Sequence, residues 1–366
     1  MPDLNILLFT YELSPPWDNG LKVYGRGLSS SLQTIDGAKV DTISNISDHK
    51  NGRSDGYDYV HVVQTGLDPI RKALGSFKRA TIFKHIVTPS VGIQNAIKTK
   101  MGYSFLNGLK NNDRLVKCFS SEFVAKSYFM EGKSIIPPCV DVSSFKPESE
   151  NSENRDPISL LGQSATKFGI ENLEKDGSGM PLIMYSGPLT EDRFPYRKVL
   201  SSLRDSGCKM LIIGRPTNNG ASVERITEVA EYANKLGMQE RVSIALKLLN
   251  EEEKIRLLNY ADIIIQPFGN SSNLYVAVDP PIFLLEAMSC GKPVITSKSY
   301  SFESFIQDGQ NGYTVNWDDT NAIRAVVDEC KSKKKREDLG SRARKTVIEN
   351  YSFKSVAESV QRMYIK

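Results

Sequence analysis

Two series of short apolar runs, each run followed by a longer polar or helix-forming stretch, dominate the pattern of this sequence. The first series is Asn5–Thr10, Tyr59–Val63, Thr81–Val87 and Leu115–Phe119. The second series is Leu182–Tyr185, Met210–Ile213, Val242–Leu246, Asp262–Gln266 and Pro293–Thr296. Buried parallel strands that alternate with helices produce this pattern. We therefore predict an α/β protein with two Rossmann-like, doubly wound domains, whose ligands bind at the carboxyl ends of the strands.

A polar segment from Glu148 to Pro157 separates the two series, and its sequence, ESENSENRDP, has the composition of a linker. With 366 residues, the chain is also longer than one ordinary hydrophobic core requires. We predict a first domain over residues 1–150, a second domain over residues 151–350 and a C-terminal helix over residues 351–366.

Composition argues against several classes of protein. A net charge of +4 is small for this length and does not favour nucleic-acid binding. The five cysteines form no C-x-x-C pair, and no spacing of His, Cys, Asp and Glu is typical of a metal site. No segment matches G-x-G-x-x-G or the P-loop, so a dehydrogenase or an NTPase is poorly supported.

Local charge favours an anionic partner. The region from Arg53 to Lys110 carries nine Lys or Arg residues against three acids, which suits a lipid head group or a phosphorylated carrier. Within it, Ile93–Lys110 has apolar residues at steps of four, and this pattern fits a core-facing helix better than an interfacial one. We expect a cytoplasmic protein with peripheral contact to the inner face of the membrane.

The segment VDPPIFLLEAMSCGKPVIT is the most informative part of the chain. Asp279 and Pro281 suit the N-cap and the first turn of a helix. The backbone N–H groups of Ile282 and Phe283 would then lie at the helix N-terminus, which attracts anions such as a pyrophosphate. Glu286 lies about one turn further along, where a carboxylate is able to accept hydrogen bonds from a ribose diol.

This segment resembles the signature of glycosyltransferase family four, in which two Glu residues precede Ala-Met and a Gly-x-Pro-Val strand. Glu286 matches the second Glu, whose implied role is to hold the ribose of a nucleotide-sugar donor. The first Glu position falls on Val278, and the adjacent Asp279 is the candidate substitute, with a plain helix cap as the alternative. The resemblance implies the GT-B fold, in which two Rossmann-like domains face a central cleft and the last helix crosses back to the first domain. The stretches IPPCVDVSSFKP and FIQDGQNGYTV resemble further parts of the same family.

The loop after Leu182–Tyr185 is the candidate diphosphate site. A transferase that uses no metal must stabilise the departing diphosphate with cationic side chains and backbone N–H groups. The family has an Arg directly after the Gly and a Lys five residues later, whereas this chain has Pro188 and Arg193 at those positions. Arg193 is therefore the leading diphosphate ligand, and together with Glu286 and Asp279 it forms the predicted catalytic set.

Strand ends in both domains complete the predicted donor site. Arg215 follows a strand, and the backbone around Leu246, where the family has Gly, matches the segment that contacts the nucleobase. In the first domain, Asn19 tolerates the left-handed conformation, and Gly20 lets the backbone approach a phosphate closely. The predicted donor-binding residues are Asn19, Gly20, Gly187, Gly214, Arg215, Leu246, Ile282 and Phe283.

Two residues are candidate contacts to the acceptor or the donor sugar, namely His61 and Ser90. His61 lies in DYVHV, which resembles a strand of the family, and a structural role for it is an equal alternative. Many relatives carry a sugar-contacting His at the end of the next strand, but that position falls here at Pro89 or Ser90. The missing His, together with Val278 and Pro188, keeps open the alternative of a non-catalytic relative.

The resemblance implies a retaining glycosyltransferase that moves a hexose from a UDP- or GDP-linked sugar to a glycan or lipid-linked acceptor. We expect a front-face mechanism without metal or cofactor, in which the nucleotide sugar is a substrate. Two alternatives stay open. One is a non-catalytic GT-B relative that binds a nucleotide sugar or a partner, and the other is a nucleotide-sugar epimerase.

Overall fold

The computed structural model divides the chain into two compact units. The first unit contains Met1–Asp141, Ser272–Leu285 and Ile348–Lys366, and the second contains Val142–Ser271 and Glu286–Val347. Unlike the predicted domains, the second unit begins at Val142, and Ser272–Leu285 is grouped with the first. The structure describes residues 4–16, 19–46, 56–87, 113–128, 134–148, 157–162, 164, 166–173, 179–216, 221–268, 279–298 and 302–365.

Strands and helices alternate along most of the described chain. The strands are β1 (Leu4–Phe9), β2 (Ala38–Ile43), β3 (Tyr59–Val62), β4 (Thr81–Ile86), β5 (Leu115–Phe119), β6 (Lys167–Phe168), β7 (Leu182–Gly187), β8 (Lys209–Gly214), β9 (Val242–Leu246), β10 (Ile263–Gln266), β11 (Val294–Ser297) and β12 (Tyr313–Val315). The helices are α1 (Gly20–Gln33), α2 (Asp68–Ser76), α3 (Glu122–Ser127), α4 (Pro157–Gly162), α5 (Tyr196–Leu203), α6 (Ala221–Lys235), α7 (Glu251–Tyr260), α8 (Ile282–Ser289), α9 (Phe302–Phe305), α10 (Thr320–Lys331), α11 (Lys333–Tyr351) and α12 (Phe353–Tyr364).

The first unit is built on a parallel sheet with the strand order β2–β1–β3–β4–β5. Successive residues of β1 enter different cores, because side chains of a strand alternate between the two faces of the sheet. Ile6 and Leu8 pack in the core that also contains residues of α1 and α12, whereas Leu7 and Phe9 pack in another core. Both faces of the sheet are therefore covered, which explains why β1 reads as a continuous apolar run.

The second unit is built on a seven-stranded sheet with the order β12–β11–β10–β7–β8–β9–β6. All neighbouring strands are parallel except β6, which runs antiparallel to β9. The central strands are fully buried, as the side chains of Ile183, Met210, Ile212 and Ile263 have 0% exposure. Two parallel α/β units confirm the predicted fold class.

Three strands were not predicted from the sequence, namely β2, β6 and β12. Strand β2 lies at the sheet edge and has several exposed residues, so it lacks the apolar run of a central strand. Strands β6 and β12 contain only two and three residues. The expected helix over Ile93–Lys110 lies outside the described residues. In the described part of the chain, no helix is long and apolar enough to cross a membrane.

Candidate functional site

Three strand ends of the second unit lie side by side in register. Gly187 of β7 is paired with Gly214 of β8, and Gly214 is paired with Leu246 of β9. Backbone hydrogen bonds continue past the strands, because the Arg215 N–H donates to the Gly187 carbonyl at 3.1 Å and the Lys247 N–H donates to the Gly214 carbonyl at 3.0 Å. The four predicted donor-binding residues of this sheet thus meet at one carboxyl edge, where ligands of open α/β sheets bind.

Gly214 permits a close approach of the loop that follows β7. A Cβ atom at position 214 would lie 2.6 Å from Cδ1 of Leu189, a distance that real Cβ contacts do not show. Leu189 is 5% exposed and belongs to the segment Pro188–Phe194, here named the β7–α5 loop. A residue without a side chain at the end of β8 therefore lets this loop pack directly on the strand end.

The β7–α5 loop presents Arg193. A turn forms the end of the loop, since the N–H groups of Arg193 and Phe194 donate to the Thr190 carbonyl at 2.9 and 2.7 Å. The Arg193 side chain is 14% exposed and lies with its guanidinium carbon 5.2 Å from the ring centre of Phe268. Its Nε atom is 3.7 Å from Oδ2 of Asp192. The side chain is thus held by a ring and a neighbouring carboxylate, beside the strand ends.

Tyr185 lies within electrostatic range of two guanidinium groups. Burial raises the pKa of Tyr185, while Arg193 and Arg215 act to lower it, so both cations are within electrostatic range of its hydroxyl. That hydroxyl donates to the Pro188 carbonyl at 2.6 Å. Two cations therefore lie close to the position where family four has an Arg and this chain has Pro188.

Glu286 is buried and ion-paired. Its side chain is 6% exposed, and Oε1 lies 2.5 Å from Nζ of Lys254 on α7. The Lys254 ammonium also lies 5.0 Å from the ring centre of Phe145. A buried carboxylate needs a compensating charge, and Lys254 supplies it. Lys254 was not among the predicted site residues, because a Lys within a charged helix gives no signal in the sequence.

Helix α7 connects this ion pair to the strand ends. Lys247, whose backbone binds Gly214, also places Nζ 2.8 Å from Oε1 of Glu253. Glu253 and Asn250 form a capping box at the N-terminus of α7. The next residue is Lys254, so the start of α7 contacts both the backbone beside the β8 end, through Lys247, and the Glu286 carboxylate.

In the first unit, Asp279 has a structural partner. Its side chain is 3% exposed and accepts a hydrogen bond from the hydroxyl of Ser121, while its N–H donates to the Val87 carbonyl at 3.0 Å. The same hydroxyl caps α3 by accepting from the Val124 N–H at 3.1 Å. Asp279 thus ties its segment to α3, and its predicted role toward a donor sugar stays a prediction. Ile282 packs against the core that contains β1 residues.

The structure corrects the predicted conformation of Asn19. Its φ of −129° and ψ of 127° are extended, not left-handed, and Gly20 is the first residue of α1. The side chain of Asn19 accepts a hydrogen bond from the Leu21 N–H at 2.8 Å. An N-cap residue requires extended backbone for this bond, so helix capping determines the conformation here.

The structure contradicts the predicted contact of His61 with an acceptor or sugar, because this residue is 0% exposed. His61 Nδ1 lies 2.8 Å from His85 Nε2, and His61 Nε2 lies 2.6 Å from the Tyr364 hydroxyl. On the other side of His85, Nδ1 lies 2.9 Å from the Tyr24 hydroxyl, which donates to the Ile136 carbonyl. His61 is thus one link in a buried chain of four side chains. Ser90, the other candidate, lies outside the described residues.

Comparison with known proteins gives a family match over much of the second unit. Residues 196–346 match the glycosyl transferases group 1 family. The match covers less than half of the 366 residues, and the matched segment is here named the group 1 domain. It contains Gly214, Arg215, Leu246, Lys254 and Glu286, whereas the β7–α5 loop immediately precedes it.

Two known proteins are similar to this chain at low sequence identity. D-inositol 3-phosphate glycosyltransferase of Corynebacterium urealyticum is 25% identical over 190 residues, which cover 52% of this chain and 40% of that protein. The α-1,3/1,6-mannosyltransferase ALG2 of Dictyostelium discoideum is 27% identical over 150 residues, which cover 40% of this chain and 33% of that protein. The chain matches less than half the length of either relative.

Solved structures establish the fold around the group 1 domain. Sucrose-phosphate synthase from Thermosynechococcus elongatus aligns with a TM-score of 0.69 at 15% identity, covering 99% of this chain and 98% of that one. HepE from Anabaena in complex with UDP aligns with a TM-score of 0.69 at 12% identity, covering 98% and 99%. These neighbours are GT-B proteins, which confirms the GT-B fold.

No metal site is evident in the described ranges. In those ranges, no group of three or more His, Cys, Asp or Glu residues is arranged to hold a metal ion. Metal independence of the group 1 domain stays a prediction, which a chelator experiment tests.

Proposed function

We propose that this chain is a retaining glycosyltransferase that transfers a hexose from a UDP- or GDP-linked sugar to a glycan or lipid-linked acceptor. One observation carries the proposal, namely the carboxyl edge at which Gly187, Gly214 and Leu246 lie in register beside Arg193 and Arg215. This edge combines close backbone approach with two guanidinium groups, which suits a nucleoside diphosphate. HepE is described in complex with UDP-glucose, and the two curated relatives are glycosyltransferases by name.

The two guanidinium groups would stabilise the leaving group. When the bond between the sugar and the diphosphate breaks, negative charge develops on the diphosphate oxygens. Arg193 is mostly buried, so its interaction with that charge is weakly screened and needs little reorganisation. Arg215 would take the place of the Arg that family four has at Pro188. Because two cations serve this purpose, we propose that the reaction needs no metal.

The second unit also offers groups for the nucleoside. Glu286 would accept hydrogen bonds from the ribose hydroxyls, with Lys254 holding the carboxylate in place. The backbone that follows β9, around Leu246 and Lys247, would contact the edge of the base. With the sugar held on one side of the leaving diphosphate, the acceptor would attack from that same side, and a diphosphate oxygen would take its proton. This front-face route retains the anomeric configuration and uses no protein nucleophile.

The first experiment measures thermal stabilisation of the chain by UDP, GDP and ADP, each with and without EDTA. A nucleotide at about 100 times its dissociation constant adds roughly 2.7 kcal/mol to the stability of the protein that binds it. We expect one of UDP or GDP to stabilise the protein, and EDTA to leave the shift unchanged. Loss of the shift in EDTA, with recovery on adding magnesium or manganese, would contradict metal independence.

Turnover is tested next, with the matching nucleotide sugar and a panel of glycan and lipid-linked acceptors. Glu286→Gln keeps the size of the side chain but removes its charge, and we expect it to lower kcat/KM about tenfold or more. Glu231→Gln, which changes an exposed Glu on α6, is the matched control. Nucleotide binding without turnover would support the non-catalytic alternative. Conversion of the sugar nucleotide in the absence of acceptor would support the epimerase.

A further inference from the structure

Contacts from several directions hold the β7–α5 loop. The Tyr185 hydroxyl bonds to the carbonyl of Pro188, and the Leu189 side chain packs on Gly214. The Thr190 carbonyl accepts the two N–H groups that form the turn before α5. A loop held at successive residues keeps one conformation, which matters because this loop carries Arg193.

Arg225 of α6 makes further contacts to this loop. Its Nε donates to the Leu189 carbonyl at 2.8 Å, and its Nη2 bonds to Glu191 at 2.6 Å. Its third bond, from Nη1 to Glu228 at 2.8 Å, stays within α6. The guanidinium also lies 4.5 Å from the ring centre of Tyr196, the first residue of α5. The Arg225 side chain therefore contacts both the beginning of the loop, at Leu189, and the helix that follows it, at Tyr196.

The charge of Arg225 is used locally. Burial acts to lower its pKa, but hydrogen bonds to Glu228 and Glu191 outweigh this and raise the pKa above its ordinary value. Two carboxylates thus neutralise the guanidinium, so it adds little positive charge for a ligand. The side chains of Glu191 and Glu228 are 60% and 48% exposed, and ion pairs this exposed contribute little to stability. What distinguishes Arg225 is its bond to the backbone of the loop.

We propose that Arg225 is a positioning residue, which holds the β7–α5 loop so that Arg193 meets the diphosphate of a bound nucleotide. The inference rests on the proposed function, because it requires a nucleoside diphosphate at Arg193. Arg225 acts only through the loop and does not touch the ligand. The planar fork of Arg is needed, since the single ammonium of Lys cannot bond in the three directions observed.

The test compares dissociation constants of UDP, GDP, UMP and GMP by calorimetry in wild type and variants. Arg225→Gln should weaken binding of the preferred diphosphate about tenfold, because a displaced cation loses most of its interaction. The matching monophosphate, which lacks the outer phosphate, should change less than about twofold. Arg225→Lys should lose most of the diphosphate affinity that Arg225→Gln loses. Glu228→Gln, which removes an ion pair but leaves the bonds to the loop, should bind like wild type.

A double variant separates positioning from general stability. If Arg225 acts through Arg193, then Arg193→Gln with Arg225→Gln binds the diphosphate no more weakly than Arg193→Gln alone. Additive losses, or wild-type affinity in Arg225→Gln, overturn the inference and leave the proposed function intact. Absence of diphosphate binding in the wild type would overturn the proposed function, and this inference with it. Should Arg225→Gln not fold, Glu191→Gln removes one contact of the loop and should weaken diphosphate binding in the same direction.

Discussion

The two units place their ionisable side chains differently on the same kind of sheet. In the first unit, His61, His85 and Lys84 are at most 6% exposed and contact one another or backbone carbonyls. In the second unit, Arg193 and Arg215 lie at the strand ends, next to glycines and a tightly held loop. The first arrangement is internal, whereas the second is cationic and lies where ligands of α/β sheets bind. The polar residues of the first unit thus serve the fold, and those of the second are available for chemistry.

The buried chain in the first unit has a single consistent arrangement of protons. The Tyr24 hydroxyl gives its proton to the Ile136 carbonyl, so it must accept from Nδ1 of His85. Nε2 of His85 then accepts from Nδ1 of His61, and Nε2 of His61 accepts from the Tyr364 hydroxyl. Every member is neutral and fully paired.

This chain of hydrogen bonds holds α12 on the sheet. Tyr364, near the end of α12, also stacks on Tyr59 with ring centres 3.7 Å apart, and the Tyr59 hydroxyl donates to the Tyr364 carbonyl at 3.0 Å. At the other end of the helix, the Ser31 hydroxyl donates to the Phe353 carbonyl at 2.7 Å. The histidines therefore contribute to attaching the last helix to the first unit.

The largest effect is expected from Arg193→Gln. If the cations of the second unit act on a leaving diphosphate, this change should lower kcat/KM by about 10²–10³, as for loss of one charge-stabilising donor. The melting temperature should change little. Arg197→Gln, which removes an exposed Arg near the start of α5, is the control. Equal activity of Arg193→Gln and Arg197→Gln would remove the proposed distinction between the units.

The next effect concerns stability, measured by urea unfolding. His61→Leu leaves the Tyr364 hydroxyl and Nε2 of His85 without a partner, and each buried unpaired group costs about 1–3 kcal/mol. We expect the free energy of unfolding to fall by roughly 2–3 kcal/mol. Hydrogen exchange in α12 should become faster, and kcat should stay unchanged. Tyr364→Phe is the matched variant, and its effect should not add to that of His61→Leu. A raised KM for the acceptor, with unchanged stability, would restore the predicted ligand role of His61.

The difference between the units also explains what the sequence could predict. The central strands were predictable because burial on both faces makes them continuous apolar runs, whereas the exposed edge strand β2 was not. The position of Gly187, Gly214 and Leu246 at neighbouring strand ends was predictable from the apolar runs and the motif spacing. Lys254 and Arg225 gave no signal in the sequence because the residues they contact are distant along the chain.

For His61, the sequence left two readings equal, since it does not show which face of a strand is enclosed or that Tyr364 returns to β3. Asn19 tolerates the left-handed region, but it caps α1 and is therefore extended. In both cases a partner determined the outcome, and partners are visible only in the folded chain.

A smaller effect is the pH dependence of stability. Burial lowers the pKa of His61 from 6.5 to about 3, so the unfolded chain binds more protons between these values than the folded chain does. Stability therefore rises with pH across this window and is lost as pH falls below about 6.5, by up to about 1.4 kcal/mol per pH unit. The difference in free energy of unfolding between wild type and His61→Leu, measured by urea unfolding, should narrow as the pH falls from 7 to 5. A constant difference would mean that His61 binds protons equally in the folded and unfolded chains, so that burial does not lower its pKa.

The smallest effect is expected from Lys84→Met. Lys84 is 6% exposed, its ammonium donates to the Gln64 carbonyl, and burial lowers its pKa from 10.5 to about 7. Below pH 7 the wild type carries a buried charge, whereas above pH 7 the folded protein releases this proton and the penalty declines up to about pH 10. Replacement by Met should therefore stabilise the protein by about 1 kcal/mol at pH 6, after loss of the hydrogen bond, and by less at pH 9.

Lys78→Met, at an exposed position, is the control and should show no such pH dependence. If Lys84→Met destabilises the protein at pH 6, the folded protein compensates the charge of Lys84, and burial of that charge carries no net penalty.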